Sequence, residues 1–439
     1  MNELKGDLPE GFKITELGPL PEEWEVVRLG DIAEKMKAGG TPRRGVNEYW
    51  GGDIPFVLIG DMTSCYLYLS KTKETLTDTG LNNSNAWLVP PNTILLSMYA
   101  TIGETAINTI PVATNQAILA IVPKNNFNTV FGAYLLKYNA QRLTMQNIQS
   151  TQKNVNKGIV ENFKIPLPPL PEQEKIAAIL SAVQEAKEKT EAVISATRDL
   201  KKSMMNYLFT YGPVPVVDAE NVPLKETEVG MVPEEWEVVR LGDVADFKNG
   251  INFTANQKGG KGILTVDVLN MYGESIYVSL NNLYRVNKVI DKDYLLKEGD
   301  LLFVRSSLKR EGVGWTSLFK PKDEPVTFCG FIIRARLKDK SILPEYITNY
   351  MRTDTARTNL VSSSGKVAIT NINQGMLGNI KIPLPPLPTQ QKIASMLSAI
   401  DQKIEAEENK KKALEDLFKT LLYNLMTAKI RVNNLEVGV

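Results

Sequence analysis

The chain has 439 residues, with 51 Lys plus Arg against 50 Asp plus Glu, a formal charge of +1 and no histidine. At roughly 150 residues per domain, this length implies two or three domains. Without imidazole there are no His general bases, His-containing triads or His-ligated metals, and a near-neutral chain can present only a local basic surface to nucleic acid.

The N-terminal MNELKGDLPEGFK lacks the apolar core of a signal peptide. No run approaches 18 apolar residues, so a cytoplasmic protein without membrane contact is expected. Cys65 and Cys329 lie 264 residues apart and read as inert thiols of a reducing compartment.

The first strong segment, PEEWEVVRLGD at Pro21 to Asp31, recurs letter for letter at Pro233 to Asp243, an offset of 212. A second, KIPLPPLP at Lys164 to Pro171, recurs at Lys381 to Pro388 with an offset of 217. The order is A-B-A-B, and each pair of markers brackets an insert of similar length. Inside the inserts correspondence is weak: Pro91 to Gly103 resembles Glu298 to Gly314, and Val112 to Val122 resembles Val326 to Arg336. These runs are rich in Ile, Leu, Val and Phe between Gly, Asn and Pro turns, which predicts strands. Short helices are expected near Phe131 to Ile148 and Pro344 to Leu360. Two domains of one fold with different surfaces follow.

After each PLPPLP the pattern becomes helical. Ile176, Ile179, Val183 and Ala186, continuing through Val193 and Leu200 to Tyr207, step by 3 and 4 as a heptad seam. Ile393, Leu397, Ile400 and Ile404 continue through Glu407 to Leu425 in the same rhythm, with a charged middle at Glu405 to Lys412. Neither one-sided seam is stable alone, so the two helices should pair. A pseudo-two-fold relation between the repeats makes the pair antiparallel and brings the C-terminal tail back toward the N-terminus.

No GxxxxGK[ST] loop, no GxGxxG after a strand and no Asn/Asp-Pro-Pro-aromatic motif is present, and isolated carboxylates such as Asp291, Asp293 and Asp300 do not make a metal pair. No catalytic or metal-binding residue is assigned. The loops suit nucleic acid better. The first insert carries Lys37, Thr41, Arg43, Arg44 and Tyr49; the second carries Lys248, Asn249 and the run Arg305, Ser306, Ser307, Lys309 and Arg310. Polar tracts containing Lys153 and Lys366 precede the proline segments. These residues combine phosphate-seeking cations with donors for base edges; taken singly, each loop also reads as a solvated turn or linker. From Lys13 to Ile165 there are 14 basic and 13 acidic residues, and from Lys225 to Ile382 there are 22 and 19, so a DNA face requires asymmetric placement.

The markers PEEWEVVRLGD, GGTPRR, TNQAI, DLLFVRSSLKREGVG and the doubled KIPLPPLP together resemble the DNA-specificity subunit of type I restriction-modification systems, from about Lys13 to Leu425. The resemblance implies an α+β chain with two globular strand-rich target-recognition domains separated by two long antiparallel coiled-coil helices. The expected divisions are target-recognition domains at 13–165 and 232–382, shared helical regions at 166–211 and 383–427, a linker at 212–231 and a tail at 428–439. It implies a non-catalytic subunit that reads a bipartite site in double-stranded DNA, with helices that set the spacing and dock two methyltransferase subunits. S-adenosylmethionine, ATP and Mg are implied for the methyltransferase and restriction/translocase partners, and no cofactor for this chain. A stand-alone sequence-specific DNA-binding module is the alternative.

Overall fold

A computed structural model describes residues 8–99, 101–145, 155–307, 312–362 and 371–433. The chain divides into two compact units, Met1–Thr190 with Lys410–Val439, and Glu191–Asn409.

In the first unit the two repeated markers meet each other. Strand Glu25–Arg28 from the first marker pairs antiparallel with Lys164–Leu167 from the second, Arg28 opposite Lys164 and Glu25 opposite Leu167. The insert between them is thereby closed at its base. It forms a five-stranded sheet in the order Ala33–Ala38, Ile118–Pro123, Thr93–Ser97, Thr105–Asn108, Tyr68–Leu69, and a three-stranded sheet in the order Ala113–Thr114, Trp50–Val57, Glu74–Leu76. Helices Thr129–Tyr138 and Ala140–Met145 complete it. Thr93–Ser97 is buried throughout, which accounts for its apolar run, and Thr105–Asn108 beside it is buried as well.

The second unit repeats this plan. Glu237–Arg240 pairs with Lys381–Leu384 in the same register. One sheet has the order Ala245–Asn249, Ile332–Leu337, Leu301–Val304, Thr316–Leu318, and the other Lys258–Gly259, Tyr284–Val286, Ile263–Val266, Val326–Phe328. The weakly similar runs of the inserts are thus the same central antiparallel pairs, Thr93–Ser97 with Ile118–Pro123 and Leu301–Val304 with Ile332–Leu337. Helices Pro344–Met351 and Asp354–Ser362 match those of the first unit.

Each marker strand is preceded by a hairpin. Phe12–Thr15 pairs with Gly18–Pro21, and Leu224–Thr227 with Gly230–Pro233, the latter lying within the stretch expected as a linker and its edge. Gly18 and Gly230 sit at φ 101° and 100°, where any side chain is strained, so TELG and TEVG are one turn written twice.

The long helices are Leu170–Tyr211 and Leu387–Met426. Each begins in its proline segment, with a proline in the first turn where the missing N–H costs nothing. The buried Gln173 donates to the Pro168 carbonyl (2.9 Å) and accepts from the Asn128 amide (2.9 Å). Gln390 repeats this with Pro385 (2.8 Å) and Leu343 (2.8 Å), so one buried amide fastens each domain's helix to the start of a long helix.

Within each unit the helices pack antiparallel, as expected. In the first, Leu425 and Met426 join Trp24, Ile176 and Leu180 in one core with Ala428 and Val432 of the tail; in the second, Met205, Leu208 and Phe209 join Trp236, Ile393 and Leu397. The seam of the first helix needs correction. Val193 and Leu200 are 40% and 51% exposed, whereas Ile194 and Lys201 are buried. The buried stripe 176, 180, 184, 190, 194, 201, 205, 208 follows 3.6 residues per turn, and a strict 3.5 repeat falls one position behind it by mid-helix.

Candidate nucleic-acid interface

Backbone hydrogen bonds align the two units residue by residue. In the first, a four-residue turn closes with the Ile118 amide donating to the Asn115 carbonyl (3.3 Å); in the second, Ile332 donates to Cys329 (3.0 Å). Gly39 donates to Ile118 (3.2 Å) and Gly250 to Ile332 (3.0 Å); Met98 donates to Ala117 (2.8 Å) and Arg305 to Phe331 (2.7 Å); Val155 donates to Met98 (3.1 Å) and Ile372 to Arg305 (2.8 Å). These contacts define a rim of four chain segments at one end of each main sheet. Gly39 and Gly250 are required there, because an added Cβ would lie 1.9 Å from the Thr114 carbonyl oxygen or 2.0 Å from that of Cys329.

Lys37 and Lys248 occupy matching places, two residues before these glycines. Trp87 and Tyr294 also match, since Val89 donates to Val112 (2.7 Å) as Leu296 does to Val326 (2.9 Å). Lys35 and Lys37 Nζ lie 4.1 and 5.8 Å from the Trp87 ring centre, and Lys248 Nζ 4.2 Å from Tyr294. A cation held over an aromatic face keeps its charge while losing freedom. Lys248 also pairs with Asp293 at 3.4 Å. Neither ring was singled out in the sequence, because each lies far along the chain from its lysine.

On the first rim, exposed Thr41 donates to Gln116 (2.6 Å), an exposed turn residue that sequence reasoning did not select. Arg44 is tied elsewhere: its guanidinium pairs with Glu74 (2.6 Å) and stacks 4.1 Å over Trp50, whose indole N–H donates to the Arg43 carbonyl (3.2 Å). Tyr49 sits in the short turn Asn47–Tyr49 that leads into the three-stranded sheet, its carbonyl accepting from Thr77 (3.1 Å).

On the second rim, Arg305 reaches the Gly330 carbonyl (3.4 Å), Ser306 hydrogen-bonds Asn371, and Tyr272 donates to Ser307 (3.3 Å). Asn249 is exposed at the strand end, paired through its backbone with Ile333. Lys153, Lys309, Arg310 and Lys366 lie outside the described residues.

Three arginines of the second insert are engaged in internal contacts. Arg336 makes a two-pronged pair with the buried Asp300 (2.7 Å each), which raises its pKa. Arg334 is lowered by burial and then by Arg336. Burial also brings Arg352 down to about 10. Arg352 donates to the Thr316 carbonyl (2.7 Å) and Ser317 (3.0 Å) and lies over Trp315. These arginines hold the fold together. Burial likewise pushes the Cys65 and Cys329 thiols up to about 11 and about 12, which leaves them protonated and unreactive near neutrality.

Among the described residues no cluster of three or more Cys, Asp or Glu could hold a metal ion, and no helix is long and apolar enough to cross a membrane. The sequence matches the Type I restriction modification DNA specificity domain over residues 21–196 and 233–416, most of the chain and both repeats. The chain belongs to this family.

It is the non-catalytic DNA specificity subunit of a type I restriction-modification system. Two specificity subunits of Methanocaldococcus jannaschii illustrate the kinship. The chain is 31% identical to that of the type I restriction enzyme MjaVIII, over 69% of its own length and 70% of the relative's. It is 27% identical to that of MjaIX, over 97% of each. A crystal structure of a type I restriction-modification S subunit from M. genitalium shares the fold, with a TM-score of 0.56 at 15% identity, over 92% of this chain and 96% of that one.

Proposed function

We propose that each strand-rich unit of this specificity subunit reads one half of a bipartite DNA site through its rim and the adjoining loops. Lys37, Thr41, Arg43, Arg44, Tyr49 and Lys153 would serve the first half; Lys248, Asn249, Arg305, Ser306, Ser307, Lys309, Arg310 and Lys366 would serve the second. The observation that carries this reading is one backbone frame built twice with different side chains on it. Stacked Lys37 and Lys248 suit phosphates, which position a protein without specifying sequence; the residues that differ between the rims suit base edges.

In this reading target-recognition domains span 13–165 and 232–382, the helical regions 166–211 and 383–427 set the distance between half-sites, and 212–231 and 428–439 are linker and tail. The helical regions dock two methyltransferase subunits that bring S-adenosylmethionine. A restriction/translocase subunit brings ATP and Mg, and the assembly works inside the cell.

Mapping methylated adenines in cells that express the full set of subunits tests the proposal. A two-part motif is expected, and Arg305→Ala should relax one part only, because an Arg on guanine contributes about 1–3 kcal/mol of discrimination. A continuous motif, or equal relaxation of both parts, contradicts it.

A further inference from the structure

The aligned rims differ at the tip of one turn. The turn Asn115 to Ile118 carries Ala117, and its counterpart Cys329 to Ile332 carries Phe331. Phe331 is 60% exposed, while its chain neighbours Phe328, Cys329 and Ile332 are buried in the core.

Its backbone is fixed on several sides. The Ile332 amide closes the turn onto Cys329 (3.0 Å), Arg305 donates to the Phe331 carbonyl (2.7 Å), and Gly330 lies under the Asn252 side chain, whose Oδ1 would be 2.2 Å from an added Cβ. Around the ring's base stand the Arg305 guanidinium, which reaches the Gly330 carbonyl (3.4 Å), and the exposed amide of Asn252. A rigid turn therefore holds an apolar ring out into solvent among hydrogen-bond donors. Burying such a ring against a protein core would leave those donors unpaired. DNA bases suit the arrangement better, because they offer apolar faces and methyl groups beside acceptors.

We propose that Phe331 is a specificity-determining residue of the second half-site, making an apolar contact with its bases. The inference rests on the two-half reading above. Ala117 leaves the first half without this contact, and Gln116, held by Thr41, takes the corresponding tip as a polar group.

The full chain with its methyltransferase partners is tested on its mapped duplex, with Phe331→Ala and Phe331→Trp. Phe331→Ala should weaken binding about tenfold. The loss should vanish when the second half is scrambled and persist when the first is, while Phe331→Trp retains more affinity. Uracil in place of each thymine of the second half separates two forms of the contact. With a thymine methyl, one uracil reproduces the loss in the wild type and adds nothing in the alanine variant. With insertion at a base step, no uracil does so, and 2-aminopurine at that step brightens with the wild type only. Phe331→Ala binding within twofold of wild type, or an equal loss on every duplex, overturns the assignment of Phe331 alone. A wild-type complex indifferent to scrambling either half overturns the two-half reading with it.

Discussion

Trp24 and Trp236 stand at the same letter of an identical segment, and both are 1% exposed. Their surroundings differ. Trp24 donates its indole N–H to Glu172 (2.8 Å), a 3%-exposed carboxylate that also accepts from Arg431 (2.9 and 3.1 Å), whose guanidinium pairs in turn with Glu23. The Arg431 guanidinium is held above its usual range by Glu172 and holds Glu23 below its own. Thr389 occupies the position equivalent to Glu172 in the second repeat. Replacing either tryptophan by Ala should cost about 3–5 kcal/mol through the cavity left behind. Replacement by Phe should separate them, with Trp24→Phe costing about 1.5–3 kcal/mol more because a hydrogen bond to a charged group is lost. Urea unfolding followed by circular dichroism measures both; equal losses for the two Phe variants would show that the carboxylate adds nothing.

The long helices carry their own test in the second unit, where Lys201 and Asp401 pair at 2.5 Å with side chains only 11% and 18% exposed. Burial raises the Asp401 pKa despite the nearby ammonium, so desolvation outweighs attraction. Asp401→Ala should therefore destabilise by about 3–5 kcal/mol by stranding a buried ammonium, whereas replacing the pair with Met and Leu should be neutral or stabilising. A double variant as unstable as the single one would count against this account. Periodicity alone could not have found the pair, because the heptad reading put Leu200 on the seam and Lys201 off it; a drift of about 20° per heptad reverses them. What was legible at this scale was the doubled marker segments, the strand-rich inserts and the helical runs. Illegible was the pairing of the two markers: Glu25–Arg28 and Lys164–Leu167 are each other's strand partners across more than a hundred residues. The rims were only half legible for the same reason. Lys37, Thr41 and Arg305 announce themselves by type, but Trp87, Gln116 and Phe331 acquire meaning only when turns distant in sequence are hydrogen-bonded together.

At the scale of the whole chain, each long helix contributes its two halves to different units, since the division falls at Thr190 in one and between Asn409 and Lys410 in the other. If these helices set the distance between half-sites, their length is an adjustable quantity. Seven residues inserted near Thr190 and seven near Glu407 lengthen each helix by about 10 Å and turn its buried stripe by only about 20°. The recognised halves should then stay the same while the gap between them grows by about three base pairs, at roughly 3.4 Å each. Insertion in one helix alone gives the control. It lengthens one helix between two ends that are each packed within their own unit and leaves the other helix short, so it should lower stability and abolish methylation without producing a new spacing. Mapping methylated adenines reads all three cases. A folded, methylation-competent double insertion with its gap unchanged would mean that the DNA spacing is set elsewhere and that the helices serve only to join the units.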